Sequence, residues 1–345
     1  MTVDSDEILT RVDGGVGIVT LNRPKAINSL TQTMVDGLVQ TLTAWEHDDD
    51  VRAVLLDGAG ERGLCAGGDV VAIYHSARDD GSEARKFWFD EYRLNAQIGD
   101  FAKPYIALMD GIVMGGGVGV SAHGSVRVVT DTTKMAMPEV GIGFIPDVGG
   151  TQLLAQAPGA LGLHVALTGV PISGADAILL GFADHYVPHE DLAAFAQSII
   201  DHDVDTALGT YAIEPPPSKL AAQQDWIDDC YAGETVSDIV AALRGHDGAP
   251  AQDAAEVIMG RSPIALAVTL ASIRRAGAMT SLKDVLVQEF RVSCASLRSH
   301  DLVEGIRALL IDKDKNPQWS PPSSAAVSQS DIDAYFAPAD PDLTF

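Results

Sequence analysis

The chain of 345 residues has little cysteine, a marked shortage of positive charge and no long apolar run. Its three cysteines, Cys65, Cys230 and Cys294, are odd in number and widely spaced. That excludes a disulfide framework or a zinc spacing and leads us to expect a reducing, cytoplasmic compartment. Lys and Arg number 23 against 48 Asp and Glu, a net charge of −25. Such a balance argues against nucleic acid as a partner, and a phosphate-bearing substrate would need a local basic patch. No apolar stretch reaches the length of a membrane span. The start, Met1-Thr2-Val3-Asp4-Ser5-Asp6-Glu7, is acidic and lacks the apolar core of a signal or transit peptide. The nine histidines form no H-x-x-x-H or H-E-x-x-H set, so no metal site is expected. Ser121 lacks the flanking glycines of a nucleophile elbow. What is present, 46% hydrophobic and 21% charged residues, reads as an ordinary globular protein of one large domain or two modest ones.

Periodicity predicts an α/β arrangement over the first 190 residues. Glu7 to Val12 and Val16 to Leu21 read as strands joined at Gly14-Gly15, a hairpin signal. Thr31 to His47 carries Met34, Val35, Leu38, Val39, Leu42 and Trp45 at helical spacing, with Thr31 as cap. Val51 to Leu56 and Pro104 to Met109 are continuous apolar runs, hence buried strands, and Val126 to Thr130 is another strand. Val70 to Ser76 follows a glycine-rich loop, Ser82 to Gly99 reads as a long helix, and the glycines at 115–119 open a helix through His123. Glu214-Pro215-Pro216-Pro217 marks a linker, and residues 218–310 read as helical. Trp319 to Phe345, rich in Pro, Ser, Ala and Asp, is expected to be extended, either loose or draped over the body.

The stretch Met137 to Gly150 is the most informative. It places Glu139 and Asp147 eight residues apart among glycines and prolines. Two acids in one apolar loop cannot both be solvated as surface charges, and their pKa values are expected to move apart, one toward an acid and one toward a base. Cys65-Ala66-Gly67-Gly68-Asp69-Val70 and Met114-Gly115-Gly116-Gly117 each lie between a buried strand and a helix, where backbone N–H groups point outward. Either alone is a tight turn. Together with the acid pair they suggest an oxyanion hole and acyl chemistry. Gly117 to Ala122 also fits a dinucleotide fingerprint, but at least four strands precede it and that fingerprint belongs to a first strand. Cys65 reads as a small loop-filling residue, and Glu91, taken alone, as a solvated helix acid.

These residues together resemble the crotonase (enoyl-CoA hydratase/isomerase) superfamily. The matching stretches are Leu21 to Asn28, Leu64 to Val70, Lys103 to Gly119 and Ala136 to Gly150. A late stretch, Glu289-Phe290-Arg291 through Asp301, Glu304-Gly305 and Leu310 to Asp314, is similar to its 3-hydroxyisobutyryl-CoA hydrolase branch. The resemblance implies an α/β crotonase (ClpP-like) fold of repeated ββα units with a helical C-terminal region. The core would span residues 1–213, the helical region 214–318 and a tail 319–345. It implies hydrolysis of a short branched 3-hydroxyacyl-CoA thioester, with Gly68 and Gly116 amides as oxyanion donors and Glu139 and Asp147 as catalytic carboxyls. Glu91, Gly116, Glu139 and Asp147 would contact the acyl part, and Lys25, near Arg23, and Ala66 the CoA end. CoA enters as part of the substrate, so no separate cofactor is implied, and a homo-oligomer, trimer or hexamer, is. Hydratases of the superfamily carry a second glutamate three residues after the middle glycine. This chain has Gly119 there, a departure from the hydratase pattern that agrees with the hydrolase one.

Overall fold

The computed structural model describes residues 6–345, so most of the acidic start lies outside the described residues. The chain divides into two compact units that interleave along the sequence. The first comprises residues up to Gly68, Arg93–Met135 and Ile172–Ser218; the second comprises Asp69–Tyr92, Ala136–Pro171 and Lys219–Phe345. The last crossing, after Ser218, follows directly on Pro215-Pro216-Pro217. The other crossings occur in mid-sequence, so the units differ from the consecutive division at 213 and 318 expected above.

The first unit is built on a six-stranded sheet. Its members are β1 (Ile8–Asp13), β2 (Val16–Leu21), β3 (Ala53–Gly58), β4 (Tyr105–Met109), β6 (Val126–Val129) and β9 (His185–Tyr186), in that spatial order. Strands β1 and β2 are antiparallel, with Asp13 opposite Val16, so Gly14-Gly15 forms a two-residue turn with φ of +53° and +76°. Every later pairing is parallel. All five residues of β4 are buried, as expected of a parallel strand covered on both faces. Val16, Ile18, Leu55, Ile106, Leu108 and Val128 meet Phe195 and Ile199 of the helix Leu192–Asp201 in one core. A smaller sheet joins β5 (Ile112–Met114), β7 (Lys134–Ala136) and β8 (Ile172–Ser173). Helix α1 (Gln32–Glu46) starts where predicted, the Thr31 hydroxyl accepting from the Met34 N–H at 3.2 Å.

The turn after β2 is held by one residue. Asn28 is fully buried at φ +53°, its side-chain amide reaching the carbonyls of Ala59, Gly63 and Leu64 at 3.0–3.2 Å while its oxygen accepts from Arg23 N–H. It thereby ties the turn bearing Lys25 to the loop that leads to Gly68. A short polar side chain that tolerates the left-handed region is what this junction needs.

The second unit is mostly helical. Helix α2 (Val70–Ala77) is capped by the Asp69 side chain, and α3 (Ser82–Gly99) lies where the sequence placed it, its residues to Tyr92 belonging here. The helices Pro263–Ala276, Leu282–Ser296 and His300–Ile306 supply much of the remaining core. Among the described residues no single helix is long and apolar enough to cross a membrane.

Two expectations are corrected. The helix opening at the triple glycine, α4 (Gly116–Gly119), ends at Gly119 and does not reach His123. Glycine is a poor helix former, and the Tyr105 hydroxyl takes the Val120 carbonyl at 2.9 Å, which helps turn the chain away. The tail is not simply extended: it carries a helix at Gln329–Tyr335, started by a reciprocal Ser328–Asp331 cap. Val327, Ile332, Tyr335 and Phe336 seat on Ile264, Val268 and Val292, and Arg275 lies 3.6 Å from the centre of the Phe336 ring. Farther on, Arg291 donates twice to Asp342, at 2.6 and 2.8 Å, and Leu343 is buried. A few well-spaced apolar positions outweigh the polar composition on which the extended reading rested.

Candidate active site

The glycine amides belong to the first unit. Cys65 is joined edge to edge with β5: its N–H donates to Ile112 O at 3.1 Å and its carbonyl accepts from Met114 N at 2.9 Å. This lays Ala66–Gly68 beside the triple glycine, so that a Cβ on Gly67 would lie 3.3 Å from Met114 O and 3.7 Å from Gly116 N. Gly67 adopts φ +109°, where a side chain is strained. The carbonyl of Gly67 accepts from Leu30 N and the amide of Ala66 donates to Ile27 O. Neither the Gly68 nor the Gly116 N–H has an acceptor among the described residues. Gly116 is the first residue of α4, where an amide has no partner within its own helix. Two uncommitted N–H groups on adjoining loops can bind one oxygen.

The basic patch is differently composed than expected. Lys25 is exposed, but Arg23 is engaged by Glu7 at 3.5 Å and by the Ser29 carbonyl at 2.5 Å. The exposed Arg62 donates to the carbonyls of Pro24 and Lys25 at 2.8 and 2.6 Å, bringing a second cation to this turn. Nothing in its surroundings, Glu61-Arg62-Gly63, marks Arg62 as anything but a solvated loop residue.

The carboxyl groups belong to the second unit. Glu139 opens the short 3-10 turn Glu139–Ile142 behind Pro138, and Gly143 at φ +75° ends it. Phe144 then stacks on Trp88 of α3 at 5.1 Å, which pins the loop against the helix that carries Glu91 and Tyr92. The loop continues through Asp147 to Val148, a branched residue held at φ +54°, and Gly149 at φ +80° before α5 (Gly150–Gln156) begins. Glu289 of the helix Leu282–Ser296 locks that strained turn. One of its oxygens accepts from Gly149 N–H at 2.6 Å, the other from Thr151 N–H at 3.0 Å and the Thr151 hydroxyl at 2.5 Å. Asp147 accepts from the Tyr92 hydroxyl at 2.7 Å, and Tyr92 is bonded in turn to Ser293, one helical turn after Glu289, at 2.7 Å. Glu91, Glu139, Asp147 and Glu289 are 2%, 7%, 5% and 0% exposed.

Burial dominates the electrostatics here. It raises Glu91 and Glu139 well above the usual carboxylate range, and repulsion from Asp147 adds to the rise in both. Asp147 is pushed up to about 7 by burial, the Tyr92 hydrogen bond holding it back. Burial lifts Glu289 to about 8 against the pull of the Thr151 and Gly149 donors. No cation is among the groups acting on these four. Both members of the acid pair rise, because neither has a positive partner. One oxygen each of Glu91 and Glu139 is buried without a partner. Orphaned acceptors of this kind are what a ligand hydroxyl or a protonated partner satisfies.

A pH dependence of stability follows. Where a carboxyl titrates higher in the folded than in the unfolded chain, the folded state holds a proton that the unfolded chain has released. Stability is then lost as pH rises from the unfolded value, near 4, toward the folded one. For Asp147 that window ends near 7 and for Glu289 near 8. The slope reaches about 1.4 kcal/mol per pH unit for each group. Thermal melts should therefore give a higher Tm at pH 6 than at pH 8, and Asp147→Asn should flatten the difference. An equally steep dependence in that variant would mean that Asp147 is ionised in the folded protein at both values.

Of the residues singled out in the sequence, Gly68, Gly116, Lys25 and Ala66 lie in the first unit and Glu91, Glu139 and Asp147 in the second. Glu91 is no solvated helix acid. Sequence reading missed the supporting partners Tyr92, Glu289, Thr151 and Ser293. A signal existed for Glu289 and Ser293, since they fall at helical spacing among Val285, Leu286, Phe290 and Val292, polar groups on an apolar face.

Comparison with known proteins decides the kinship. A family model described as enoyl-CoA hydratase/isomerase matches residues 16–336. The chain belongs to the enoyl-CoA hydratase/isomerase, or crotonase, family. Its members' fold accounts for the mixed sheets and the helical C-terminal region described above. A 3-hydroxyisobutyryl-CoA hydrolase, mitochondrial, of Danio rerio is 40% identical over 97% of this chain and 90% of its own length. The crystal structure of a carnitinyl-CoA dehydratase from Mycobacterium thermoresistibile is 67% identical, covers 99% of each chain and superposes with a TM-score of 0.97. An enoyl-CoA hydratase from Rhodobacter sphaeroides 2.4.1 is 38% identical over 98% of this chain and 100% of its own, with a TM-score of 0.93. The chain is thus a crotonase-family enzyme, similar both to proteins named hydrolases and to proteins named hydratases or dehydratases.

Proposed function

We propose that this enzyme hydrolyses a short branched 3-hydroxyacyl-CoA thioester, with 3-hydroxyisobutyryl-CoA as the substrate to test first. One observation carries the reading: Glu139 and Asp147 share a buried cluster with Glu91, while the place of the hydratases' second glutamate is taken by the buried Gly119 of α4. Likeness to the Danio rerio hydrolase across almost the whole chain supports it. In this reading the Gly68 and Gly116 N–H groups hold the thioester oxygen as it gains charge, worth about 3 kcal/mol per donor. Glu139, its proton affinity raised by burial, takes a proton from water as the water oxygen bonds to the thioester carbon. The oxyanion then collapses, the C–S bond breaks, and the proton passes to the CoA sulfur. Direct attack by Glu139, giving an anhydride that water opens, has the same stoichiometry. Glu91 and Asp147 orient the substrate hydroxyl and the water, and Lys25 and Ala66 meet the CoA end. The reaction as written uses no further cofactor. A reducing, cytoplasmic setting fits three cysteines that form no disulfide, and trimeric or hexameric assembly belongs to the same reading.

The name carnitinyl-CoA dehydratase on a structure 67% identical favours a second reading, reversible addition of water to an enoyl-CoA. Syn addition needs water held between two carboxylates, and here Glu139 would work without a glutamate at position 119. The assay that separates them measures free thiol from 3-hydroxyisobutyryl-CoA beside loss of enoyl absorbance from crotonyl-CoA. Thiol release with negligible hydration is expected. Hydration without thiol release overturns the proposal.

A further inference from the structure

The hydroxyl pair behind Asp147 has a property that the proposed reaction does not by itself require. Tyr92 is completely buried, and its oxygen lies 2.7 Å from Asp147 Oδ2 on one side and 2.7 Å from Ser293 Oγ on the other. Ser293, also completely buried, lies 2.8 Å from the Glu289 carbonyl of its own helix. Three short contacts thus run in series from a carboxyl through two hydroxyls to a backbone carbonyl. Each hydroxyl has one hydrogen to give and can also accept.

Counting hydrogens gives two arrangements, one with two hydrogens among the three contacts and one with three. When Asp147 is ionised, Tyr92 donates to it and Ser293 donates to Tyr92. When Asp147 carries a proton, the carboxyl donates to Tyr92, Tyr92 donates to Ser293, and Ser293 donates to the Glu289 carbonyl. The Asp147–Tyr92 and Tyr92–Ser293 contacts are hydrogen bonds in both states and reverse direction between them, whereas the Ser293–Glu289 carbonyl contact holds a hydrogen only when Asp147 is protonated. We infer that Tyr92 and Ser293 are positioning residues that hold Asp147 in one place through both of its protonation states by reversing the direction of their hydrogen bonds. The inference rests on the proposed hydrolysis only in giving Asp147 a water or substrate hydroxyl to orient; the hydrogen count stands apart from it. Asp147 is faced by Glu91 from α3, by Glu139 from its turn, and by Glu289 from the helix Leu282–Ser296, all acidic. Against that acidic ring, Asp147 is held down by the Tyr92 hydroxyl and, to a smaller extent, by a backbone N–H.

The two ends of the chain should act oppositely, which a packing role alone cannot produce. Tyr92→Phe removes the donor to the ionised carboxylate, so Asp147 should titrate higher, by about one pH unit. Ser293→Ala keeps that donor but leaves the Tyr92 hydrogen without an acceptor when Asp147 is protonated, so Asp147 should titrate lower, by about half a unit. Both variants are conservative in volume, and circular dichroism checks that each is folded. The pH profile of thiol release from 3-hydroxyisobutyryl-CoA should move its Asp147-dependent limb up in the first and down in the second. Infrared titration of the carboxylic C=O stretch that disappears in Asp147→Asn reads the same shifts without turnover. Opposite shifts support the inference; shifts of the same sign, or none, overturn it. Absence of thiol release from the unaltered enzyme would defeat the proposed function, while the infrared titration would still decide the role of Tyr92 and Ser293.

Discussion

Glu139→Gln should lower kcat for thiol release by about a thousandfold or more while changing the affinity for the CoA ester only a few-fold. A positioned acid–base group contributes about a hundred- to ten-thousandfold, and removal of an attacking carboxylate would be at least as severe. Glutamine keeps the shape and size of the side chain, so the turn at Glu139–Ile142 and its exit through Phe144 should persist. Binding survives because glutamine has the neutral charge of the protonated acid, the form that burial favours at this position. Stability at pH 8 should not fall, since the variant no longer buries a charge when the pH rises. Single-turnover thiol release and equilibrium binding of the ester, measured side by side, separate the two effects. A variant that keeps more than about a tenth of the rate would show that Glu139 neither accepts the proton nor attacks.

Gly117→Ala is expected to cost about a hundredfold in kcat without touching any carboxyl. A Cβ there would stand 2.5 Å from the Cys65 carbonyl and 2.9 Å from its Cβ. Cys65 cannot retreat, because it is bonded on both sides to β5 through Ile112 and Met114. The first turn of α4 must therefore move, and the Gly116 N–H moves with it. Displacing an oxyanion donor by about an ångström loses most of its contribution, since such groups act at a fixed position. Overpacking should also lower stability by about 1–3 kcal/mol. Gly209→Ala serves as the control: it lies in a helix with nothing within 4 Å of the added carbon, and it should leave the rate unchanged. If Gly117→Ala retains its kcat within about threefold while melting lower, the Gly116 amide is not the donor.

Local patterns made the framework of this protein readable. The hairpin at Gly14-Gly15, the Thr31 cap, the apolar runs of β3 and β4 and the helix at Ser82–Gly99 each rest on interactions within a few residues, and each lies within a few residues of where it was placed. The tail was misjudged because its helix depends on Ile332 and Phe336 meeting Ile264 and Val292, contacts that no composition reveals. The end of α4 escapes the sequence for a similar reason: the Tyr105 hydroxyl reaches the Val120 carbonyl from β4.

The same division holds for the candidate site. By itself the sequence determined which residue types were available: two glycine loops following buried strands, a Pro-Glu turn, an aspartate eight residues on, and glycine at position 119. These are properties of short segments, and short segments keep their conformation wherever glycine and proline dictate it. Only the tertiary structure decided that Glu91 is buried, that Glu289 reaches across 140 residues to lock Gly149, and that Tyr92 and Ser293, 201 residues apart, form one hydroxyl chain on Asp147. The reason is physical. A carboxyl's proton affinity depends on water excluded and partners supplied by distant elements, and neither exists until those elements pack.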